Sequence, residues 1–260
     1  MKLLNQKFIF SRTCYFFKII AFISATFFCL SSSSYAFSLN STQKTTDAIN
    51  SYMYSLSLDE FNTMVQLPDK LREFKGLEYL SANGNHVVDL SALHSLNQLK
   101  SLSLNHTKII DIDPLANLKK LQRLSLKGNK IPNINALKDL RKLKTLSLYA
   151  TKVTDLSPLI MLTSLENLNL GYVKSHDISV LKNLPNLVTL NILHMPISDF
   201  SVLTNLRNLE HLDVSYSNFS DFKLLLKMPH LKSLTIEMSK AQQANLLDKK
   251  VRQGLKINFR

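Results

Sequence analysis

The residues able to do chemistry are few in this 260-residue chain, and their spacing narrows the choices at once. Seven histidines stand at 86, 94, 106, 176, 194, 211 and 230, each apart from the others in sequence. The chain contains no HExxH pair, no GxSxG nucleophile turn and no glycine-rich phosphate loop. Cys14 and Cys29 are its only cysteines, too few for a disulfide scaffold or a cysteine-based zinc site. Asp89, Asp111, Asp155, Asp177, Asp199 and Asp221 recur in register, with Asn133 filling the gap. A lone carboxylate without neighbouring oxygen ligands is a poor calcium site, and a short polar side chain suits the cap of a helical turn. The expectation is therefore no catalytic residue, no metal and no cofactor. The chemistry left is that of surfaces: aromatic side chains for contact and lysines for charge.

What positions those side chains is a repeat. Leucine opens a unit at 77, 99, 121, 143, 165, 187, 209 and 231, each 22 residues after the last and without insertion. The unit from Leu121 continues with Leu124, Leu126, Asn129, Ile131, Ile134, Leu137 and Leu140; the next carries Leu146, Leu148, Thr151, Val153, Leu156, Leu159 and Leu162. The consensus is LxxLxLxxNxIxDLxPLxxLxx. Apolar positions 4 and 6 alternate with polar 3 and 5, which is the period of a strand. Positions 11, 14, 17 and 20 supply the remaining core of each coil. No unit can bury its own apolar side, so stacked neighbours must make one continuous core. Parallel strands then line one concave face, about 4.8 Å apart.

This pattern resembles the leucine-rich repeat family, in the 22-residue subclass of bacterial internalins and the eukaryotic phosphatase regulators. The resemblance covers residues 77–239 and implies an α/β leucine-rich-repeat solenoid. That solenoid has a curved parallel sheet on its concave face, short helical turns on its convex side, and helical N- and C-terminal caps. Residues 52–76 are expected to form the N-terminal helical cap. Residues 240–260 are expected to be the C-terminal cap, a helix ended by Gly254 and followed by a strand over 255–259. In this family an Asn at position 9 bonds the turn backbone, yet only Asn85 and Asn129 hold that place; Val173 and Met195 cannot make those bonds.

The first 36 residues read as an address. Lys2, Lys7, Arg12 and Lys18 precede an uncharged apolar run from Ile19 to Leu30, and Ser34-Tyr35-Ala36 offers a cleavage site. This is the shape of a secretory signal peptide, with an uncleaved membrane anchor as the alternative. Residues 37–51 read as a flexible leader. The whole chain carries a formal charge of +13; removing residues 1–36 with their four basic residues leaves +9, and both cysteines go with them. The expected location is secreted or periplasmic, and no second apolar segment of membrane length follows.

Two surfaces follow from the register. Over the later repeats the exposed positions of the concave face gather Tyr149, Tyr172, Leu193, His194, His211, Tyr216 and Met238, a protein-contact patch of aromatic character. In the earlier repeats the same positions are small and polar. Separately, Lys100, Lys119, Lys120, Lys138, Arg141, Lys142 and Lys144 form a basic patch. Lys108, Lys130, Lys152 and Lys174 form a column at position 10, expected to lie near the acids of position 13. The reading is a monomeric, non-catalytic protein-binding module, exported by a bacterium, with a host protein as one candidate partner. The alternative is an envelope protein that binds anionic glycan or lipopolysaccharide through its basic side. Nucleic acid is not expected as a partner, since no aromatic residues interleave with the basic patch.

Overall fold

The computed structural model describes residues 54–61 and 63–260. The signal peptide over 1–36 and the leader over 37–51 lie outside the described residues. Ten strands form one parallel sheet in strict sequence order. They are β1 (Ser55–Ser57), β2 (Tyr79–Ser81), β3 (Ser101–Ser103), β4 (Arg123–Ser125), β5 (Thr145–Ser147), β6 (Asn167–Asn169), β7 (Thr189–Asn191), β8 (His211–Asp213), β9 (Ser233–Ile236) and β10 (Lys256–Phe259). From β2 to β9 the register steps by one repeat, pairing Leu80 with Leu102, Leu102 with Leu124, and so to Leu234. Each column of equivalent residues is thereby held one strand spacing apart.

The core is the predicted one. In the unit from Leu121, all of Leu121, Leu124, Leu126, Ile131, Ile134, Leu137 and Leu140 are at most 1% exposed. Each such side chain contributes roughly 1.5–3 kcal/mol of transfer free energy, so the stacked apolar columns supply most of the cohesion. The convex returns are 3-10 turns such as Asp113–Asn117 and Ser157–Met161. Their starts are fixed by the position-13 column. Asp89, Asp111, Asn133, Asp155, Asp177 and Asp199 each accept the backbone N–H two residues on, at 2.7–2.8 Å. These side chains close Asx turns at the entry to each return.

The N-terminal end differs from expectation. Over 52–76 the described residues form strand β1 and the 3-10 turn Asp69–Glu73, so the sheet begins one coil earlier than the predicted helical cap allows. Ser55 pairs with Tyr79, two residues out of the 22-residue phase, and this insertion hides the alternation of buried Leu56 and Leu58. The C-terminal end closes with short helices Ala241–Ala244 and Asp248–Arg252, then Gly254 at φ 105°, then β10 against β9. Among the described residues no helix is long and apolar enough to cross a membrane.

Candidate functional site

The concave face is divided by chemistry. Over β2–β4 it is a closed polar ladder. Asn83 Nδ2 donates to Ser81 Oγ, Ser103 Oγ donates to Asn83 Oδ1, Asn105 Nδ2 donates to Ser103 Oγ, and Ser125 Oγ donates to Asn105 Oδ1, all at 2.6–2.9 Å. These groups satisfy one another and leave few donors for a ligand.

From Tyr149 onward the face changes. Tyr149, at position 7, lies over Gly171; a Cβ on that glycine would come within 2.9 Å of the ring. Lys127 Nζ stands 5.0 Å from the same ring. The next three rings come from position 8. Tyr149 and Tyr172 meet edge-on at 5.3 Å, Tyr172 and His194 at 4.7 Å, and His194 and Tyr216 at 6.1 Å between centroids. Four consecutive coils thus contribute one unbroken row of rings. Tyr172 and Tyr216 remain 39% and 50% exposed. Burial and the adjoining Tyr172 hold the Tyr149 hydroxyl above the usual phenol range, against the pull of Arg260.

Position 8 is a costly place for a ring. Gly84, His106, Gly128, Ala150, Tyr172, His194 and Tyr216 all occupy it with φ between 53° and 72°. The left-handed turn keeps the position-8 N–H in line with the next coil: Tyr172 N donates to Leu193 O at 2.9 Å and His194 N to Ser215 O at 3.0 Å. Residues with a Cβ lose roughly 1–2 kcal/mol in this conformation, and glycine does not. At the last coil the pattern is patched. Tyr216 N donates to Glu237 Oε2 at 2.9 Å, while Lys240 holds Oε1 at 2.7 Å. Burial pushes the Glu237 carboxyl up, but Lys240 and the N–H bonds outweigh it and hold it below its ordinary value.

Of the seven predicted contact residues, the structure brings four into the row. Leu193 does not belong to the exposed patch: it is only 3% exposed. Its column neighbours at position 7 are Gly171 and Ser215. His211 sits on β8, exposed, with Nε2 3.9 Å from Glu210. Met238 is 63% exposed but opens the 3-10 turn Met238–Lys240, where the left-handed turn is lost, and makes no ring contact with the row. Two polar residues were not anticipated. Asp213 accepts Ser215 Oγ at 2.5 Å and meets Arg260 Nη2 at 3.2 Å. Asp213 was legible as the one acid in the Ser/Asn column of position 5. Arg260 left no signal, because its place depends on β10 closing the sheet.

The predicted basic patch sits at the N-terminal ends of the strands and is largely engaged. Lys100 meets Glu78 at 2.7 Å, Lys144 meets Glu166 at 2.8 Å and Lys119 meets Asp139 at 3.7 Å. Lys120 Nζ donates to Gln98 at 2.5 Å. The Glu78 hydrogen bond holds the Lys100 ammonium above its ordinary value. Lys138, Arg141 and Lys142 are exposed beside them.

The scaffold is a stack of repeats that carries a row of rings on its concave face. The chain belongs to the leucine-rich repeat family: the model of the leucine-rich repeat region matches residues 55–247. Its repeats are internalin-like. Internalin C2 from Listeria monocytogenes is similar at 29% identity and a TM-score of 0.69, over 73% of this chain and 83% of that one. Internalin F of the same organism is similar at 27% identity and a TM-score of 0.69, over 84% of this chain and 62% of that one. The plant peptide hormone receptor RGFR1, solved in complex with RGF2, shares the fold at 20% identity and a TM-score of 0.58, over 70% of this chain and 31% of the receptor. No curated protein matches the sequence.

Proposed function

We propose that this chain is an exported, non-catalytic binding protein whose partner, a protein, docks on the concave face against Tyr149, Tyr172, His194 and Tyr216. One observation carries the reading. Three rings of the row, Tyr172, His194 and Tyr216, occupy left-handed turns that glycine fills without strain at Gly84 and Gly128. The fold alone would be better served by glycine at those places, so the rings are there for something else. Exposed tyrosines give large contact area and a polar tip for little entropy, which is the chemistry of binding hot spots. The composition of residues 1–36 supports export. The internalin likeness supports a bacterial setting in which the partner belongs to a host. The fold relative solved with its peptide supports binding of a protein chain.

The test is substitution of Tyr172 and Tyr216 by alanine, which Ala150 shows the column accepts. Retention of a stoichiometric protein from host-cell extract should fall at least tenfold, with the far-UV spectrum unchanged. Undiminished retention by the double variant would sink the proposal.

A further inference from the structure

The coil leaves the concave face through positions 8–12, and that flank is more uniform in charge than the predicted basic patch. Positions 9 and 11 are buried and 10 is exposed, as in Thr107, Lys108 and Ile109. Position 10 holds Lys108, Lys130, Lys152 and Lys174 in four successive coils. Backbone bonds fix the column: Lys108 N donates to Val87 O at 3.1 Å, Lys152 N to Ile131 O at 3.0 Å, and Lys174 N to Val153 O at 3.3 Å. The four cations therefore stand one strand spacing apart, in a line about 14 Å long. Across repeats one to seven, positions 8–12 contain no Asp or Glu at all.

Sequence reasoning places the acids of position 13 beside these lysines. The structure gives those carboxylates to backbone N–H groups at the convex turns instead, as with Asp111 to Asp113 N and Asp177 to Ser179 N. None of the four lysines takes part in an ion pair among the described residues. The patch on the opposite flank contrasts with this, since Glu78, Asp139 and Glu166 engage it. Two like charges separated by the strand spacing, about 5 Å, repel by roughly 0.8 kcal/mol even in water, and a linear polyanion laid along the column turns that repulsion into attraction.

We infer that the column Lys108–Lys130–Lys152–Lys174 is a docking track for a linear sulfated polysaccharide. Lysine offers a mobile point charge without the planar fork of arginine, which suits irregularly spaced sulfates. No ring stands among the four lysines, His86 being one coil before them, and the rings of position 8 pack on one another, so a run of base stacking is not on offer. A membrane fits less well. The exposed apolar residues Val88 and Ile110 at position 12 adjoin only the start of the column, and Thr154 and His176 hold that place beside Lys152 and Lys174. The track stands two positions further along the coil than the position-8 rings, and the inference does not rest on that row.

The experiment measures binding of a fluorescent heparin octasaccharide to the full chain by anisotropy over a salt series. With about 0.7 counterions released per contact, four contacts give a log–log salt slope near 3. Each contact is then worth about fivefold at 0.1 M salt, so Lys130→Gln with Lys152→Gln should weaken binding about 25-fold and halve the slope. Lys138→Gln with Lys142→Gln removes the same charge from the other flank and should change affinity by less than threefold. Equal loss in both variants would mean that net charge alone attracts the glycan, and the track would be refuted. Binding to phosphatidylserine vesicles that the Lys130/Lys152 variant loses, with no octasaccharide binding, would assign the column to a membrane and also overturn the proposal.

Discussion

Asn129→Val is the substitution whose effect the structure fixes most closely. Asn129 is 1% exposed and ties two coils together. Its Nδ2 donates to Leu126 O at 2.8 Å and Leu104 O at 2.7 Å, and its Oδ1 accepts from Thr107 N at 3.1 Å and Thr107 Oγ1 at 2.6 Å. Valine fits the position, as Val173 shows in the same column two coils further on. Without the amide, Leu104 O keeps the Thr107 hydroxyl, but Thr107 N and Leu126 O lose their partners. Two buried orphans at about 1–3 kcal/mol each place the loss near 4 kcal/mol. For a chain of this size that lowers Tm by about 8–16 °C. Thr151→Val is the control. It removes the 2.7 Å bond from Thr151 Oγ1 to Leu148 O, yet that carbonyl keeps the Thr151 N–H at 3.1 Å, so the loss should stay near 1 kcal/mol. Urea unfolding of the three proteins measures both. Equal midpoints for the two variants would refute the reasoning.

Two further predictions concern strain and pH. At Tyr172, where φ is 61°, the glycine variant should be more stable than the alanine variant by about 1 kcal/mol in urea. The usual order in regular structure is the reverse, and finding it here would show that the turn is unstrained. Asp199 is held below the ordinary aspartate value of 3.8 by the Ser201 N–H and hydroxyl. Its contribution to stability is fully present above 3.8 and disappears as pH falls through the lowered folded value. Asp199→Asn should keep the turn, as Asn133 does with Asn135 N at 2.7 Å, while flattening the loss of stability below pH 4. Unchanged acid sensitivity would contradict that assignment.

The fold was legible because leucine spacing determines it. Strands, core and convex turns from Leu77 to Ser239 follow from one period, and the acid column reads as turn caps. The first coil escaped because two extra residues shift Ser55 out of phase with Tyr79. The site was legible only as a column. Position 8 was visible as aromatic, but its left-handed backbone was not, since Tyr and His give no such signal where Gly84 and Gly128 do. Leu193 was misplaced because position 7 is not exposed in every coil, and an apolar side chain there is buried. Lys108 and its column gained weight for the opposite reason: the partners that spacing suggested are engaged elsewhere. Sequence spacing gives proximity along the coil, whereas hydrogen-bond competition decides which neighbours pair.

The central claim is that a protein partner covers the row from Tyr149 to Tyr216. The most direct measurement is photo-crosslinking with benzoylphenylalanine placed at Tyr172, compared with the same probe at Ile160, 47% exposed on the convex turn Ser157–Met161. The account predicts a discrete protein adduct in host-cell extract from the probe at Tyr172 and none from the probe at Ile160. An adduct formed through Ile160 and not through Tyr172 would place the partner on the convex side and contradict it.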